Sequence, residues 1–212
     1  MYDSILDAIC NGRMAPGERI AQDMVAEKLN VSRQPVGQAL MILRKQNFVR
    51  EAGRRGLIVA PLEAKFIAAV YEFRSAIDPL ASSLAAKHAT AENKAEGERI
   101  IIAGKKALAS RSLQRLINAD MDFHLLIYAV SGNILVQEIM ATHWHHLRRA
   151  MREVLSRDDY RATLWDEHDD IWGAISSGDP KSAERVMRKH VVAASDFLES
   201  KVLHALEERE KA

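Results

Sequence analysis

The sequence predicts a mostly α-helical protein, with an N-terminal winged helix-turn-helix over residues 1–62 and an all-α antiparallel helical bundle over residues 63–212. Near the N-terminus, two short helical segments separated by a tight turn precede two strand-like segments. Beyond residue 63, apolar residues recur at three- and four-residue steps, without further strand signals. A length of 212 residues with 48% hydrophobic content is enough for two compact domains and is too apolar for a disordered chain.

Charge and cysteine content limit the setting in which the protein works. Residues 1–62 hold nine Lys and Arg against six Asp and Glu, whereas the rest of the chain holds 21 against 23. This basic excess at the N-terminal end permits nucleic-acid binding. Cys10 is the single cysteine, and no apolar run approaches the roughly 18 residues of a membrane span. Asp3 and Asp7 interrupt the first apolar stretch, so we expect no signal peptide and a cytoplasmic protein.

Three helices are predicted in the first domain. The first covers Tyr2–Asn11 and ends at Gly12. The second covers about Ala21–Leu29, with Asn30 as its left-handed terminator, and the third is capped by Ser32. The apolar residues expected to face inward on the second helix are Met24, Val25 and Leu29. Those at helical spacing on the third helix are Val36, Leu40, Ile42 and Leu43.

A β-hairpin is predicted directly after the third helix. Phe48–Glu51 and Leu57–Ala60 have the composition of strands, and they flank the turn Ala52–Gly56. The tip of this hairpin carries Arg54 and Arg55, which indicates a wing that lies near phosphates or the minor groove. The alternative is that the two arginines are solvated surface charges.

The second domain is expected to begin near residues 61–65 and to contain six helices. The first, about Phe66–Ala89, contains Pro79, which should kink it. Its apolar residues recur at three- and four-residue steps and indicate a mostly buried helix: Ile67, Val70, Phe73, Ile77, Leu80 and Leu84. The remaining helices are expected at about Ala91–Ala109, Leu113–Val130, Ile134–Ser156, Tyr160–Ser176 and Pro180–Glu208.

Histidines and one aspartate of the second domain form a candidate metal site. Asp120 and His124 are four residues apart and project from the same face of one helix. With His168 and His190 from two later helices, they could hold a divalent metal and leave a coordination position open. The alternative is that these are hydrogen-bonded core histidines. A second group lies on one helix, where neighbouring residues point in different directions, and we interpret it as pocket-rim or surface residues: His143, His145 and His146.

The chain resembles two known protein families, one in each half. Residues 9–59 resemble the winged helix-turn-helix of the GntR superfamily, and the remainder resembles the FCD ligand-binding domain of the FadR subfamily. The first resemblance lies in Ile9–Ile20, Val31–Val36, Ala39-Leu40, Leu43 and the wing glycine Gly56. The second lies in Glu72–Arg74, Asp120–His124, Ser131–Asn133, Glu167-His168, Gly178-Asp179, Ala183, Met187 and His190.

The resemblance implies a metal site, an effector and a DNA partner. Residues that match the family's metal ligands are Asp120, His124, His168 and His190. Zinc is the first expectation for the metal, with nickel or manganese as alternatives, and the effector would be a small organic acid. The resemblance also implies a homodimer that binds a palindromic operator in double-stranded DNA. Residues that match the family's DNA interface are Ser32, Arg33, Gln34, Pro35, Arg55 and Gly56.

One departure from the family pattern concerns the recognition helix. Relatives usually have Arg-Glu after Pro-Val, whereas this chain has Gly37-Gln38. An arginine that contacts guanine is typically worth about 1–3 kcal/mol of discrimination. We therefore expect either an operator that differs from the family's usual one or a larger share of the specificity carried by Arg33.

The sequence thus predicts a ligand-responsive transcription regulator, expected to be a repressor and not an enzyme. Arg33 and Gln34 would contact base edges, with phosphates bound by Ser32 and the wing arginines. Candidate cations for the effector are Arg74, Arg148 and Arg149, although Arg74 could equally be an ion-pair partner of Glu72 or Asp78. Two alternatives stay open: a metal-dependent hydrolase or lyase on the helical domain, and a constitutive DNA binder with a structural metal.

Overall fold

The computed structural model describes residues 1–110, 112–154 and 158–200, except for the side chains of Arg55 and of residues 153–162. The chain divides into two compact units, Met1–Leu62 and Glu63–Ala212. The first unit combines helices with a two-stranded sheet, and the second is helical throughout its described part. The fold class predicted from the sequence is confirmed.

The first unit contains three helices followed by a hairpin. The helices are α1 (Tyr2–Cys10), α2 (Gln22–Lys28) and α3 (Arg33–Lys45). The strands β1 (Val49–Glu51) and β2 (Leu57–Val59) are antiparallel, and a 3₁₀ turn, Gly53–Arg55, joins them. Both strands and all three helices contribute to one apolar core, whose largest members include Ile5, Leu6, Ile9, Leu40, Leu43 and Phe48. The winged helix-turn-helix order is therefore present, with helix and strand bounds close to those predicted.

The connection between α2 and α3 depends on Asn30. Its φ of 52° lies in the left-handed region, as predicted from its position after the second helix. Asparagine tolerates this region better than most residues. Gly56 also has a positive φ, 71°, at the end of the 3₁₀ turn, which favours glycine at this point of the hairpin.

The prediction for the inward face of α2 was wrong at two positions. Met24 is 70% exposed and Leu29 is 36% exposed. The buried residue of this helix is Ala26, with Val25 partly buried beside it. Because α2 has only seven residues, it presents one narrow face to the core. Met24 lies two residues from Ala26, or about 200° around the helix axis, and so points away from the core.

The second unit contains six described helices, which follow the predicted order. They are α4 (Ala64–His88), α5 (Ala91–Ala109), α6 (Leu113–Ser131), α7 (Ile134–Val154), α8 (Asp158–Ser176) and α9 (Pro180–Leu198). The predicted extensions of α7 to Ser156 and of α9 to Glu208 lie outside the described residues. Helix α4 packs against α6, α7, α8 and α9, whereas α5 packs against α6 and α8. The bundle is therefore built around α4.

The buried face of α4 differs from the one that its apolar spacing indicates. Phe73 and Leu80 are 37% and 45% exposed. The charged residues Arg74 and Asp78 are buried instead, at 2% and 0% exposure. Pro79 lies inside α4, which is helical on both sides of it. Polar groups on the central helix therefore face the interior, where they can belong to a site.

Two glycines on α5 allow tryptophans of α8 to approach its backbone closely. A Cβ built on Gly97 would lie 1.9 Å from the indole of Trp172, and one built on Gly104 would lie 2.1 Å from the indole of Trp165. Trp165 and Trp172 are almost fully buried. The two indoles therefore fill the space that side chains at these glycines would need.

We expect Gly104→Ala to lower the free energy of unfolding of the helical unit by about 1–3 kcal/mol, because overpacking displaces the buried indole of Trp165. This loss should outweigh the gain of about 1 kcal/mol in helix propensity. Urea denaturation followed by tryptophan fluorescence measures it, since all three tryptophans lie in this unit. Gly173→Ala is the matched control: no atom lies within 4 Å of its built Cβ, so it should raise stability slightly. Equal stability of the Gly104→Ala variant and the wild type would contradict the close approach of α5 and α8.

Candidate metal centre and DNA-binding surface

Three buried histidines from three helices converge inside the helical unit. His124 on α6, His168 on α8 and His190 on α9 each place one ring nitrogen within 4.8 Å of the others. Their side chains are buried. The rings of His124 and His190 are stacked, with centroids 5.5 Å apart, and the ring of His168 lies edge-on to both. Such a grouping of imidazoles has the composition of a transition-metal site.

Asp120 adjoins this cluster through one of its histidines. It lies one turn before His124 on α6, and its Oδ1 is 3.5 Å from Nε2 of His168. The carboxyl group is buried, and this burial raises its pKa to about 6, although the nearby Arg74 guanidinium opposes the rise. The structure therefore brings all four predicted metal ligands into one region. Their role as ligands stays a prediction.

Three ring nitrogens of this cluster lack a hydrogen-bond partner among the described residues. Within the described residues, Nδ1 of His124 and both ring nitrogens of His168 are buried without a hydrogen bond. Burial lowers the pKa of both imidazoles well below 6.5, and nearby cationic groups lower it further, so the neutral form is favoured. Buried polar atoms without partners are rare in folded proteins. Neutral imidazoles are the form that binds metals, and these residues therefore fit a divalent cation.

A buried ion pair lies beside the histidines. Nε of Arg74 donates to Oδ2 of Asp78 at 2.8 Å, and the hydroxyl of Tyr128 donates to Oδ1 of the same carboxylate at 2.7 Å. The guanidinium of Arg74 lies over the ring of Trp144, and its Nη2 is 3.4 Å from Nε2 of His124. Two ion-pair partners were considered for Arg74, Glu72 and Asp78, and the structure shows the pair with Asp78. Arg74 also touches the histidine cluster, as an effector-binding cation would have to.

Glu167 is a site residue whose contact sequence reasoning missed. Its Oε2 is 2.7 Å from Nδ1 of His190. A carboxylate oxygen accepts, so Nδ1 carries the hydrogen and Nε2 of His190 is left as the ligating nitrogen. Glu167 belongs to the Glu167-His168 pair on which the resemblance to the FCD domain partly rests. Successive residues of a helix point in different directions. The pair of adjacent residues could therefore have suggested that one faces the cluster while the other supports a ligand.

The remaining candidates on α7 lie in different environments. Arg148 and Arg149 are both buried, at 8% exposure. Their role toward an effector stays a prediction. The interpretation of His146 as a rim or surface residue was wrong: it is 3% exposed, and its ring packs edge-on against Phe66 of α4 at 4.8 Å. The cause is the packing of α7 against α4, which buries this side of the helix.

The N-terminal end of α3 brings together the residues predicted to contact bases. Ser32 is its N-cap residue, and Arg33 and Gln34 follow it on the exposed side. Nε of Arg33 forms an exposed ion pair with Oδ1 of Asp23 on α2, at 2.6 Å. Pro35, within the first turn, is partly buried. The DNA contacts of all four predicted residues stay predictions.

The predicted wing residues lie in the turn between β1 and β2. Arg54 is exposed within the 3₁₀ turn, and Gly56 follows it with its positive φ. The prediction for the Arg55 side chain lies outside the described residues.

Among the described helices of the whole chain, none combines the length and apolar content that a membrane span needs.

The departure at Gly37 has a structural counterpart on α2 that sequence reasoning missed. A Cβ built on Gly37 would lie 2.8 Å from Nε2 of Gln22. The same Nε2 donates to the backbone oxygen of Arg33 at 2.6 Å. The side chain of Gln22 therefore fills the space beside Gly37. The two residues are 15 positions apart in sequence, and only the packing of α2 against α3 reveals their contact.

Almost the whole chain is similar to known transcription regulators. The profile of the FCD domain matches residues 69–193, and that of the gntR family of bacterial regulatory proteins matches residues 1–59. An uncharacterised HTH-type transcriptional regulator of Bacillus subtilis, YdhC, is 27% identical to this chain, over an alignment that covers 98% of this chain and 91% of YdhC. The HTH-type transcriptional repressor RspR of Escherichia coli is 23% identical, over an alignment that covers 86% of this chain and 80% of RspR. The structure of E. coli McbR/YncC has a TM-score of 0.82 at 18% identity, over 94% of this chain and 95% of that one.

Proposed function

Because this chain belongs to the GntR family of transcription regulators, in the branch with an FCD domain, we propose that it is a repressor whose affinity for operator DNA is set by a metal and a small organic acid. The observation that carries the proposal is the buried cluster of His124, His168 and His190, which lies beside the Arg74 guanidinium. Among the described residues, Nδ1 of His124 and both ring nitrogens of His168 have no hydrogen-bond partner. Repression is supported by the relative RspR, which is a repressor by name.

The DNA-binding unit recognises a palindromic operator. In this proposal Arg33 and Gln34 contact base edges, and Ser32 fixes the register through a phosphate. The other residues at the DNA surface are Pro35, Arg54, Arg55 and Gly56. Arg33 must leave Asp23 to contact DNA, and this costs little, because an exposed ion pair is typically worth about 0.2–1 kcal/mol.

The helical unit holds a divalent metal through the three histidines and Asp120. We take zinc as the first candidate and nickel or manganese as alternatives, since imidazole nitrogens and a carboxylate oxygen suit all three. When bound, such a metal supplies an open coordination position for a carboxylate oxygen. Glu167 keeps Nε2 of His190 directed to the site by accepting from Nδ1.

Arg74 is the first candidate cation to pair with the effector carboxylate beside the histidines. Its Nε is held by Asp78, and its Nη2 lies beside His124, so the guanidinium directs positive charge at the histidine cluster. Arg148 and Arg149 are further candidate cations, both buried on α7. For a tenfold change in operator affinity, the effector must favour one arrangement of the regulator by about 1.4 kcal/mol.

A homodimer is part of this proposal, and an exposed apolar surface on α4 and α7 supports it. Phe66 packs against His146 and Phe73 lies near His143, so the two helices run antiparallel side by side. Among the described residues of these helices, the exposed large apolar side chains are Phe73 and Leu80 on α4, and Ile134, Leu135 and Ile139 on α7. Exposed large apolar side chains on two adjacent helices are typical of a protein contact, and a second copy would match a palindromic operator.

The function is tested by titrating the purified full-length protein onto fluorescent DNA from the flanks of its own coding region. Fluorescence anisotropy is measured at near-physiological salt, with excess non-specific competitor, in the presence and absence of Zn²⁺ and of candidate organic acids. We expect saturable binding that survives the competitor and weakens when the effector is added. Binding that shows no preference over competitor, with or without metal and acids, would refute the proposal.

In the same assay, Arg33→Ala is expected to weaken operator binding by about 1–3 kcal/mol, because it removes a base contact. The matched control is Arg99→Ala, since Arg99 is also exposed and ion-paired, with Glu96, but lies in the helical unit. This control should bind as the wild type does. Equal losses in both variants would indicate a general effect of charge instead of base recognition.

A further inference from the structure

The recognition helix has a glycine at a position where its backbone does not need one. Gly37 lies within the helical segment of α3, and its φ is not among the positive values of the chain. A glycine inside a helix destabilises it by about 1 kcal/mol relative to alanine. The built Cβ at this position would lie 2.8 Å from Nε2, 3.6 Å from Cδ and 3.8 Å from Oε1 of Gln22. The carboxamide of Gln22 thus occupies the place where a side chain of residue 37 would begin.

Two successive residues of α2 hold the first turn of α3. Nε2 of Gln22 donates to the backbone oxygen of Arg33, at 2.6 Å. The carboxylate of Asp23 pairs with the side chain of the same Arg33. The bond to the backbone oxygen of Arg33 fixes the carboxamide of Gln22 beside the exposed end of α3 that carries Ser32 and Gln34. This bond does not depend on the ion pair, so it can persist when Arg33 leaves Asp23 to contact DNA. A polar group from α2 is therefore presented together with those of the recognition helix.

The carboxamide retains a complete set of groups for one kind of base. An amide nitrogen has two hydrogens, and the backbone of Arg33 takes one of them. The second hydrogen and Oε1 form a donor and acceptor pair. In the major groove, adenine offers the complementary pair, N7 as acceptor and N6–H as donor, and glutamine contacts it through both.

We propose that Gln22 is a specificity-determining residue, which recognises an adenine beside the bases contacted by α3 and takes the place of a side chain at residue 37. The inference rests on the proposed function, because it requires the N-terminal end of α3 to enter the major groove of an operator. Gln22 and a side chain at residue 37 exclude each other. A larger residue at position 37 therefore removes the adenine contact even when Gln22 is unchanged.

The test selects binding sites from a library of random DNA duplexes with the full-length protein and with three variants. The wild type is expected to enrich a palindromic sequence with an adenine at one position of each half-site. Gln22→Ala and Gly37→Ala should keep the half-site spacing and lose at least about fivefold of the preference for that adenine. Gln22→Glu should lose the preference for adenine as well, because a carboxylate has no hydrogen to donate to adenine N7 or to the backbone oxygen of Arg33. These changes would not follow from a purely structural role.

Two further measurements separate the possible outcomes. Thermal unfolding of Gly37→Ala should show no loss of stability, because alanine favours the helix and the displaced group is the flexible end of Gln22. Gln114→Ala, which removes a surface glutamine of α6, should select the wild-type sequence. A wild-type sequence that Gln22→Ala leaves unchanged at every position overturns the inference alone. A wild type that enriches no sequence overturns the proposed function and the inference with it.

Discussion

Asp78→Ala is expected to lower the free energy of unfolding of the helical unit by about 3–5 kcal/mol, the cost of leaving one partner of a buried ion pair alone. The carboxylate is fully buried and accepts hydrogen bonds from Arg74 and Tyr128. Burial alone would lower the pKa of Arg74, but the negative charge of Asp78 raises it above its usual value. The guanidinium therefore stays charged, and without Asp78 it would be a buried cation without its counter-charge.

Urea denaturation followed by tryptophan fluorescence measures this loss. The matched control is Glu184→Ala, which removes the acid of a second pair four residues apart, with Arg188, on the exposed surface of α9. It should change stability by less than about 0.5 kcal/mol. The double variant Asp78→Leu/Arg74→Met should recover much of the loss, because apolar side chains of similar size can replace a buried ion pair. A loss in Asp78→Ala no larger than in Glu184→Ala would contradict the energetic role of the pair.

The ion pair on α4 also borders the proposed metal site. Nη2 of Arg74 is 3.4 Å from His124, and Oδ2 of Asp78 is 3.9 Å from Nδ1 of the same ring. The carboxylate thus holds the arginine, and both groups border the histidine whose Nδ1 has no hydrogen bond within the described residues. If the proposed ligands bind here, stability and ligand binding are coupled through one set of contacts on the central helix.

The bounds of the helices could be predicted from the sequence, but the buried face of some helices could not. Helix α5 has the predicted bounds, and Asn30 ends α2 in the left-handed conformation, as predicted. Local residue types decide such ends. Helix α4 packs against four other helices, so its apolar residues lie on more than one side, and their spacing did not reveal that Phe73 is exposed.

The residues of the site were predicted more fully than their supports. Spacing and resemblance indicated the three histidines, and Asp78 was one of two ion-pair partners considered for Arg74, together with Glu72. Spacing along a helix carries no information about contacts between helices. The support of His190 by Glu167 and the contact of Gln22 with Gly37 depend on how two helices pack, and only the structure reveals them.

His168→Ala is expected to lower the affinity of the protein for Zn²⁺ by more than about 100-fold, since loss of a supporting group alone typically costs 10–100-fold. The ring of His168 stacks on Phe123 with centroids 4.3 Å apart, and this fixes it between His124 and His190. Removal of the ring leaves two imidazoles and the carboxyl group of Asp120. The affinity is measured by competition with a chromophoric chelator, using full-length protein freed of metal.

Two matched variants distinguish a ligand from its support and from other histidines of the same unit. Glu167→Gln should reduce the affinity by about 10–100-fold, because His190 loses its orienting carboxylate. His143→Ala, which removes a half-buried histidine near Phe73, should leave the affinity unchanged. Zn²⁺ at 100 times its dissociation constant should stabilise the wild type by about 2.7 kcal/mol and His168→Ala far less. Equal stabilisation of both would place the metal elsewhere, and the unpartnered nitrogens of His124 and His168 would then need another ligand.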